Sequence, residues 1–412
     1  MAFVDPAVAI IISLGFLVAL LYKRVNLGIV LNATALLLAL LAVNLSDIPR
    51  MVYAATVNPE YLPVVLATFG IMLLSQLYRE TGFITKLSNS IGEILHNPKA
   101  VLSVVPAVIG LLPVAGGALM SAPVVDAEAD KLKLKPDRKA YVNLWFRHTI
   151  FPVYALSPPV IVTASLTGVA VSTLIVRQIP VVAVMVAVGF VIGFWKTQNP
   201  KNTSPSRTDS KSNLKTLATT FAPILVTIIV TVTLDAANIS LFSKAFNIVL
   251  AIVVGLSIFL ALTRPSTKVL TSPLKSWGIY GITLAAYGAF LLRDVMVAAG
   301  ISDIFRPIVA NGSLDAVILL TLVPAALGLL TGSPAGGVAI AVSVLAGSVT
   351  FSPAVAGLIY ISAYLGYTVA PTHLCFTFTA DYFKCSLGRI YKYVIPSFLA
   401  SFAAAVLVYY LI

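Results

Sequence analysis

Apolar runs at 7–22, 25–44 and 61–78, each bounded by charged or turn-forming residues, predict three membrane-spanning helices at the start of the chain. Polar and apolar residues interleave from Arg79 to Lys99, a pattern too charged to cross a bilayer and suited to a helix lying in its interface. An apolar arm, a Gly/Pro-rich tip and a second apolar arm then occupy 100–122. Neither arm reaches the roughly 20 residues of a span, so the pattern predicts a re-entrant hairpin. A charged loop is expected from Asp126 to Lys139. A fourth span over 142–168 is interrupted at Ser157-Pro158-Pro159, where two prolines remove backbone donors and disfavour helix at the preceding residue. A fifth span covers 179–195.

The stretch 196–215, rich in Ser, Thr, Asn, Pro and Lys, reads as a disordered linker. Beyond it the plan returns: spans at 216–234, 246–263 and 276–292, an interfacial stretch from Arg293 to Gly312, and a hairpin over 316–348. A span over 353–380, broken at Ala370-Pro371-Thr372, and a last span over 393–411 complete it. The likeness extends to individual residues. Val105-Pro106-Ala107-Val108-Ile109-Gly110-Leu111-Leu112 returns as Val323-Pro324-Ala325-Ala326-Leu327-Gly328-Leu329-Leu330, and Ala115-Gly116-Gly117 as Ala335-Gly336-Gly337. Arg79-Glu80 is matched by Arg293-Asp294, Gly82 by Gly300, and Tyr154…Pro158 by Tyr367…Pro371. The chain therefore reads as two repeats, 1–195 and 216–412, joined by the linker. Short Gly/Pro-interrupted apolar segments at matching places in two halves are the best sequence pointer to a transporter's binding site.

Composition agrees. Hydrophobic residues make up 59% of 412 and charged residues 10%, more apolar surface than a soluble domain can bury, so the fold class is an all-α polytopic membrane protein. About ten transmembrane helices, two hairpins and two broken helices account for the pattern. A net charge of +12 raises nucleic-acid binding, but the placement of the charges excludes it. Lys23-Arg24 follow the first apolar run instead of preceding it, the wrong order for a signal peptide and the right one for an N-terminus outside. With that orientation the linker is cytoplasmic, both termini are outside, and of 27 Lys and Arg only Arg50, Arg177, Lys244, Arg293 and Arg306 lie outside. The basic excess is thus topological, with some attraction to anionic lipid, in the cell (plasma or inner) membrane. The halves are inverted, so the two hairpins enter from opposite faces and their tips can meet near the midplane. Cys375 and Cys385 form no metal or CxxC spacing.

Four helix N-termini are expected near that depth: after Gly116-Gly117, after Gly336-Gly337, at Pro159 with Ser157 as cap, and at Thr372-His373. Each presents unpaired N–H groups and about half a positive charge, so together they favour an anion, and a carboxylate is the commonest small one. The expected substrate site is Ala115, Gly116, Gly117, Ser157, Pro158 and Pro159 from the first half, with Thr331, Gly332, Ser333, Gly336, Gly337, Pro371, Thr372 and His373 from the second. Carbonyls and hydroxyls at Leu112, Val114, Leu330, Thr331 and Ser333 suit a sodium ion.

A depth ruler of 1.5 Å per residue sets Arg147, Asp126 and Asp381, each ten residues from a break or tip, near the inner interface. There Asp381 reads as a solvated helix end. Arg147 reads as snorkelling or as the partner of an acid at 126–130, with gating or substrate contact as the alternative. His373 is the only ionisable residue placed within a turn of a midplane break; burial and the helix dipole disfavour an imidazolium, so it is expected neutral and able to donate to an anion. Packing is the other reading of His373. All fifteen acids lie outside or at the edge of the apolar stretches, so no buried carboxylate relay is expected.

Leu112-Pro113-Val114-Ala115-Gly116-Gly117, Ala122-Pro123, Gly366-Tyr367, Pro371-Thr372-His373-Leu374 and Ala380-Asp381-Tyr382-Phe383-Lys384, in this two-half plan, resemble the ion transporter superfamily. Its members carry dicarboxylates, citrate or gluconate with sodium or protons. Within it the chain is most similar to a prokaryotic family, domain of unknown function four hundred and one. The resemblance covers nearly the whole chain and implies an elevator carrier, usually a homodimer. Spans one to three and six to eight would form the scaffold, while hairpins, broken helices and spans five and ten would move. The leading functional expectation is a secondary transporter of a small organic anion, with no enzymatic activity. A cation/proton antiporter and a non-transporting scaffold or intramembrane enzyme are the alternatives. The spans show no HExxH, GxSxG with a histidine partner, or paired aspartates, and the chain lacks the GxxxxGK[ST] loop of an ATP-driven pump.

Overall fold

The computed structural model describes residues 4–113, 117–197, 210–240, 242–301, 303, 307 and 314–412, and every regular element among them is a helix. The first half opens with α1 (Pro6–Tyr22), α2 (Leu27–Ala42), the short α3 (Ile48–Val57), α4 (Tyr61–Glu80) and α5 (Phe83–Ile94). A helical hairpin follows, α6 (Pro98–Gly110) and α7 (Gly117–Lys131), then α8 (Pro136–Thr149), α9 (Pro158–Thr167) and α10 (Val171–Phe194). The second half runs α11 (Ser210–Ala236), α12 (Lys244–Thr263), the short α13 (Thr267–Thr271) and α14 (Trp277–Ala298). A second hairpin, α15 (Leu314–Thr331) and α16 (Pro334–Leu345), is followed by α17 (Pro353–Thr368), α18 (Leu374–Tyr382) and α19 (Leu387–Leu411).

Among the described residues seven helices are long and apolar enough to span a bilayer, counting Pro136–Thr167 as one, against the ten expected. The difference lies in length. Helices α1 and α2 have 17 and 16 residues, about 25 Å each at 1.5 Å per residue, short of a hydrocarbon core of about 30 Å. Helix α17 stops after 16 residues at the second break. Three stretches expected to be irregular are helical, and one expected as interfacial helix continues a span. Residues 48–57 in the outer loop form α3, most of the loop Asp126–Lys139 belongs to α7 and α8, linker residues 210–215 open α11, and Arg293-Asp294 lie inside α14. The rest of the linker, 198–209, and most of 302–313 lie outside the described residues.

Two hydrophobic cores divide the molecule. One joins α1, α2, α4, α5, α6, α9, α12, α14, α16 and part of α17, with Leu31, Leu77, Phe259 and Phe290 near its centre. The other joins α7, α8, α10, the rest of α17, α18 and α19 around Trp145, Phe146, Tyr364 and Phe376. Close helix crossings are made through glycine. A Cβ on Gly110 of α6 would meet the Arg147 carbonyl of α8; one on Gly328 of α15 would meet the Ala363 carbonyl of α17, and one on Gly366 the Ala325 carbonyl. Each hairpin's first arm therefore lies backbone to backbone against the helix that leads into a break.

Helix α8 is the polar member of the second core. Residues Lys139 through Thr149 are all buried, although the helix carries five charged or imidazole side chains. Its polar groups find partners on every side, as burial requires. Asp137 pairs with Lys392 of α19 at 2.6 Å, and Lys139 bridges Asp126 and Asp130 of α7 at 2.5 and 2.7 Å. The Tyr141 hydroxyl meets Ser397 Oγ at 2.7 Å, Asn143 takes a hydrogen bond from Ser121 Oγ at 2.6 Å, and Trp145 Nε1 donates to the Met185 carbonyl at 2.9 Å. The exceptions sit in its last turn.

Candidate functional site

A cavity of about 420 Å³ lies between the two cores, its lining drawn from both: Leu27 and Ala285 from one, Tyr364 and Cys375 from the other. The second hairpin tip contributes Thr331 to Ala335, the first tip Pro113, and the two breaks Pro158-Pro159 and Thr372-His373. Four helix N-termini open onto it: α9 at Pro158, α16 at Pro334, α18 at Leu374 with His373 as cap, and α2 at Leu27 with Asn26 as cap. Helix α7, which the sequence nominated, begins at Gly117 behind Arg147, and α2 takes its place at the wall.

The expected residues are thus partly assembled. Pro158, Pro159, Thr331, Gly332, Ser333, Thr372 and His373 line the cavity. Ser157 caps α9 by backbone position alone, without a side-chain cap bond. Gly337 lies inside the second hairpin against Gly328, Gly336 lies against Leu27, and Pro371 is exposed beside the break. Val114, Ala115 and Gly116 lie outside the described residues.

Arg147 is where the sequence reading is corrected. It is 1% exposed, lines the cavity, and pairs with no acid among the described residues; the acids at 126 and 130 are held by Lys139. Its Nη2 donates to the Leu112 carbonyl at 3.3 Å, while Nε and Nη1 have no hydrogen-bond partner. The depth ruler failed because the break is long: α8 ends at Thr149, a 3-10 turn covers Phe151–Val153, and helix resumes only at Pro158. Pro152 was the available signal, since a helix tends to end before the residue preceding proline. Arg147 therefore stands within one turn of the break.

His148 was also missed, so His373 is not the only ionisable group beside a break. His148 Nδ1 lies 2.6 Å from the Leu144 carbonyl, an acceptor only, so Nδ1 carries the proton and Nε2 the lone pair; Nε2 has no partner. His373 Nε2 meets the Tyr367 hydroxyl at 2.6 Å, leaving Nδ1 without a partner. The two imidazoles stand perpendicular, centroids 4.7 Å apart. Tyr364 closes the wall by donating to the His148 carbonyl at 2.5 Å.

The oxygen set expected for sodium fits poorly. The Leu112 carbonyl faces the Arg147 guanidinium. At the other tip Thr331 Oγ1 donates to the Leu327 carbonyl at 2.7 Å, and Ser333 Oγ accepts the Gly336 N–H at 3.3 Å, so both hydroxyls serve the hairpin itself. Leu330 is half exposed, and Val114 lies outside the described residues.

A chain whose described residues are helical, with seven apolar helices of spanning length among them and a cavity at two helix breaks, is an α-helical multi-pass membrane protein. The chain belongs to the family described as "Protein of unknown function (DUF401)", which it matches over residues 7–412. No curated protein matches the chain.

Proposed function

We propose that the protein is a secondary active carrier of a small organic anion of the carboxylate type, working by alternating access. One observation carries the reading: the Arg147 guanidinium is buried, lacks an acidic partner among the described residues, and lies on a cavity shared by both hairpin tips and both breaks. An unpaired buried cation costs several kcal/mol, roughly, even after relaxation, and an anion that enters and leaves offsets that cost only while bound. Four helix N-termini around the same cavity add partial positive charge. Among the described residues no Asp or Glu lines the cavity, which disfavours the antiporter alternative.

Two further features support an elevator built from inverted repeats. Each half has the same order of helices: hairpin, helix, break, short helix, long helix. The cores support it in part: α7, α8, α10, α18 and α19 share one core, apart from α2, α4, α12 and α14, whereas α9, α16 and most of α6 pack with the second group and α17 contributes to both. In this reading the first group moves against the second, in a homodimer, with the linker cytoplasmic and both termini outside. A cysteine introduced at position 5 should then react with an impermeant reagent added outside intact cells, and one at position 205 should not. The opposite pattern would overturn the inversion.

Transport is tested with protein reconstituted in liposomes, offering labelled carboxylates under imposed sodium or proton gradients. Thermal shifts with the same acids give an independent readout, since a ligand stabilises the state it binds. If no carboxylate shifts the melting temperature or is taken up under either gradient, the carrier reading fails. Proton coupling has its own test at His373, which faces His148, Arg147, Tyr367 and Cys375. Carboxylate affinity of the wild type should vary between about pH 5 and 8, the ordinary histidine range, and His373→Gln should flatten the profile. A pH-independent wild type would assign coupling elsewhere.

A further inference from the structure

The cavity wall holds a second arrangement, which shares His373 with the anion site. His148, His373 and Cys375 each place one ligand atom within 4.8 Å of the others. Both imidazoles are oriented by a hydrogen bond through one nitrogen, His148 to the Leu144 carbonyl and His373 to the Tyr367 hydroxyl. The other nitrogen of each ring is buried and unpartnered. That is the support metal-ligating histidines have: one nitrogen fixed by an outer partner, the other free to coordinate. Cys375 is a free thiol, 8% exposed, the second residue of α18 and two positions after the His373 cap.

We infer that His148, His373 and Cys375 form a three-coordinate site for a soft monovalent cation of the cuprous class. The donor set, two imidazole nitrogens and one thiolate, is that of a soft metal and not of sodium, magnesium or calcium. Charge then selects within the soft metals. Coordination displaces the thiol proton to solvent, and the thiolate cancels a monovalent ion, leaving Arg147 as the net charge of the wall, as before binding. A divalent ion would leave one further positive charge beside that guanidinium, with no acid lining the cavity among the described residues to offset it. His148 already has its lone pair on Nε2. His373 coordinates through Nδ1 when Nε2–H donates to the Tyr367 hydroxyl, and donates through Nδ1–H when that hydroxyl points the other way. Cation and carboxylate therefore call on opposite tautomers of His373, and a filled metal site withdraws His373 from an anion.

The test uses the purified full-length chain in detergent, kept anaerobic and reduced, with cuprous ion titrated against the chromophoric chelator bicinchoninate. Zinc is titrated in parallel against a zinc dye. The wild type should take one cuprous ion per chain, and Cys375→Ser should weaken binding by about a hundredfold or more, since losing only a ligand's outer partner already costs about 10–100-fold. Cys385→Ser, which alters the other thiol, should leave binding unchanged. His148→Gln provides the same comparison should Cys375→Ser not fold. The inference is overturned if the wild type competes no better than Cys375→Ser and His148→Gln, if Cys385→Ser loses as much, or if zinc binds as tightly as the cuprous ion. Metal-free thermal shifts with carboxylates are read separately, so failure here leaves the carrier reading standing.

Discussion

Arg147→Gln is expected to abolish carboxylate uptake, by about a hundredfold or more, and to leave the ligand-free protein as stable as the wild type or more so. Both halves of that expectation follow from one geometry. In the wild type the guanidinium is 1% exposed and spends one nitrogen on the Leu112 carbonyl, leaving Nε and Nη1 unpartnered. An arginine in a structural role would be saturated by acids or carbonyls, as Lys139 is by Asp126 and Asp130. Removing an uncompensated buried charge relieves a desolvation cost, whereas breaking a paired one would destabilise by about 3–5 kcal/mol. Glutamine retains a donor for Leu112 but offers an anion no charge and no planar fork. Arg147→Lys keeps the charge and should recover only part of the affinity. Melting curves with and without carboxylate, alongside uptake, separate the outcomes. A variant that melts many degrees lower yet still responds to carboxylate would make Arg147 a structural residue and remove the main support for an anion cargo.

The outline of this site was legible in the sequence because its makers are backbone-breaking residues. Pro158-Pro159, Pro371 and the Gly/Pro-rich tips announce where helices stop, and the repeat of Val-Pro-Ala…Gly-Leu-Leu announces two hairpins. Gly110 and Gly328 hold equivalent places in that repeat because each lies against a carbonyl of the neighbouring helix, a constraint that admits no side chain. The residues that fill the site were less legible, for a different reason. Distance along a helix converts to depth only while the chain stays helical, and residues 150–157 are not α-helix. One overlooked proline, Pro152, moved Arg147 from an expected interface to the cavity wall. Tyr364 and Tyr367 had no sequence signal beyond the match of Tyr367 to Tyr154, since aromatic residues on an apolar helix read as packing. The bounds of the spans were less legible than their existence, because apolar length was measured without its caps: Asn26 caps α2 inside the run expected from 25, and Val43 ends it.

The glycines of the two hairpins, alike in sequence, should fail in different ways. A Cβ on Gly117 would fall on the Arg147 guanidinium, the far end of a long side chain, so Gly117→Ala displaces that group without moving a helix. A Cβ on Gly337 would sit 2.7 Å from the Gly328 nitrogen and 2.8 Å from its Cα, backbone that can yield only by separating α16 from α15. Overpacking of that kind costs about 1–3 kcal/mol and spreads through rigid neighbours. Gly117→Ala should therefore express and melt like the wild type while losing about tenfold or more in carboxylate affinity, since a group displaced by an ångström no longer meets its ligand. Gly337→Ala should lower the melting temperature by several degrees, and its transport should fall in step with the amount of folded protein. Gly336 tests the distinction again: its Cβ would meet the Leu27 side chain at 2.9 Å, a flexible neighbour on the cavity wall, so Gly336→Ala should resemble Gly117→Ala in folding and lose less affinity. Expression, melting temperature and carboxylate affinity measured on the three variants decide the matter. Equal loss of folded protein in all three would mean that the glycines serve only helix packing, and that Gly117 does not hold space for Arg147.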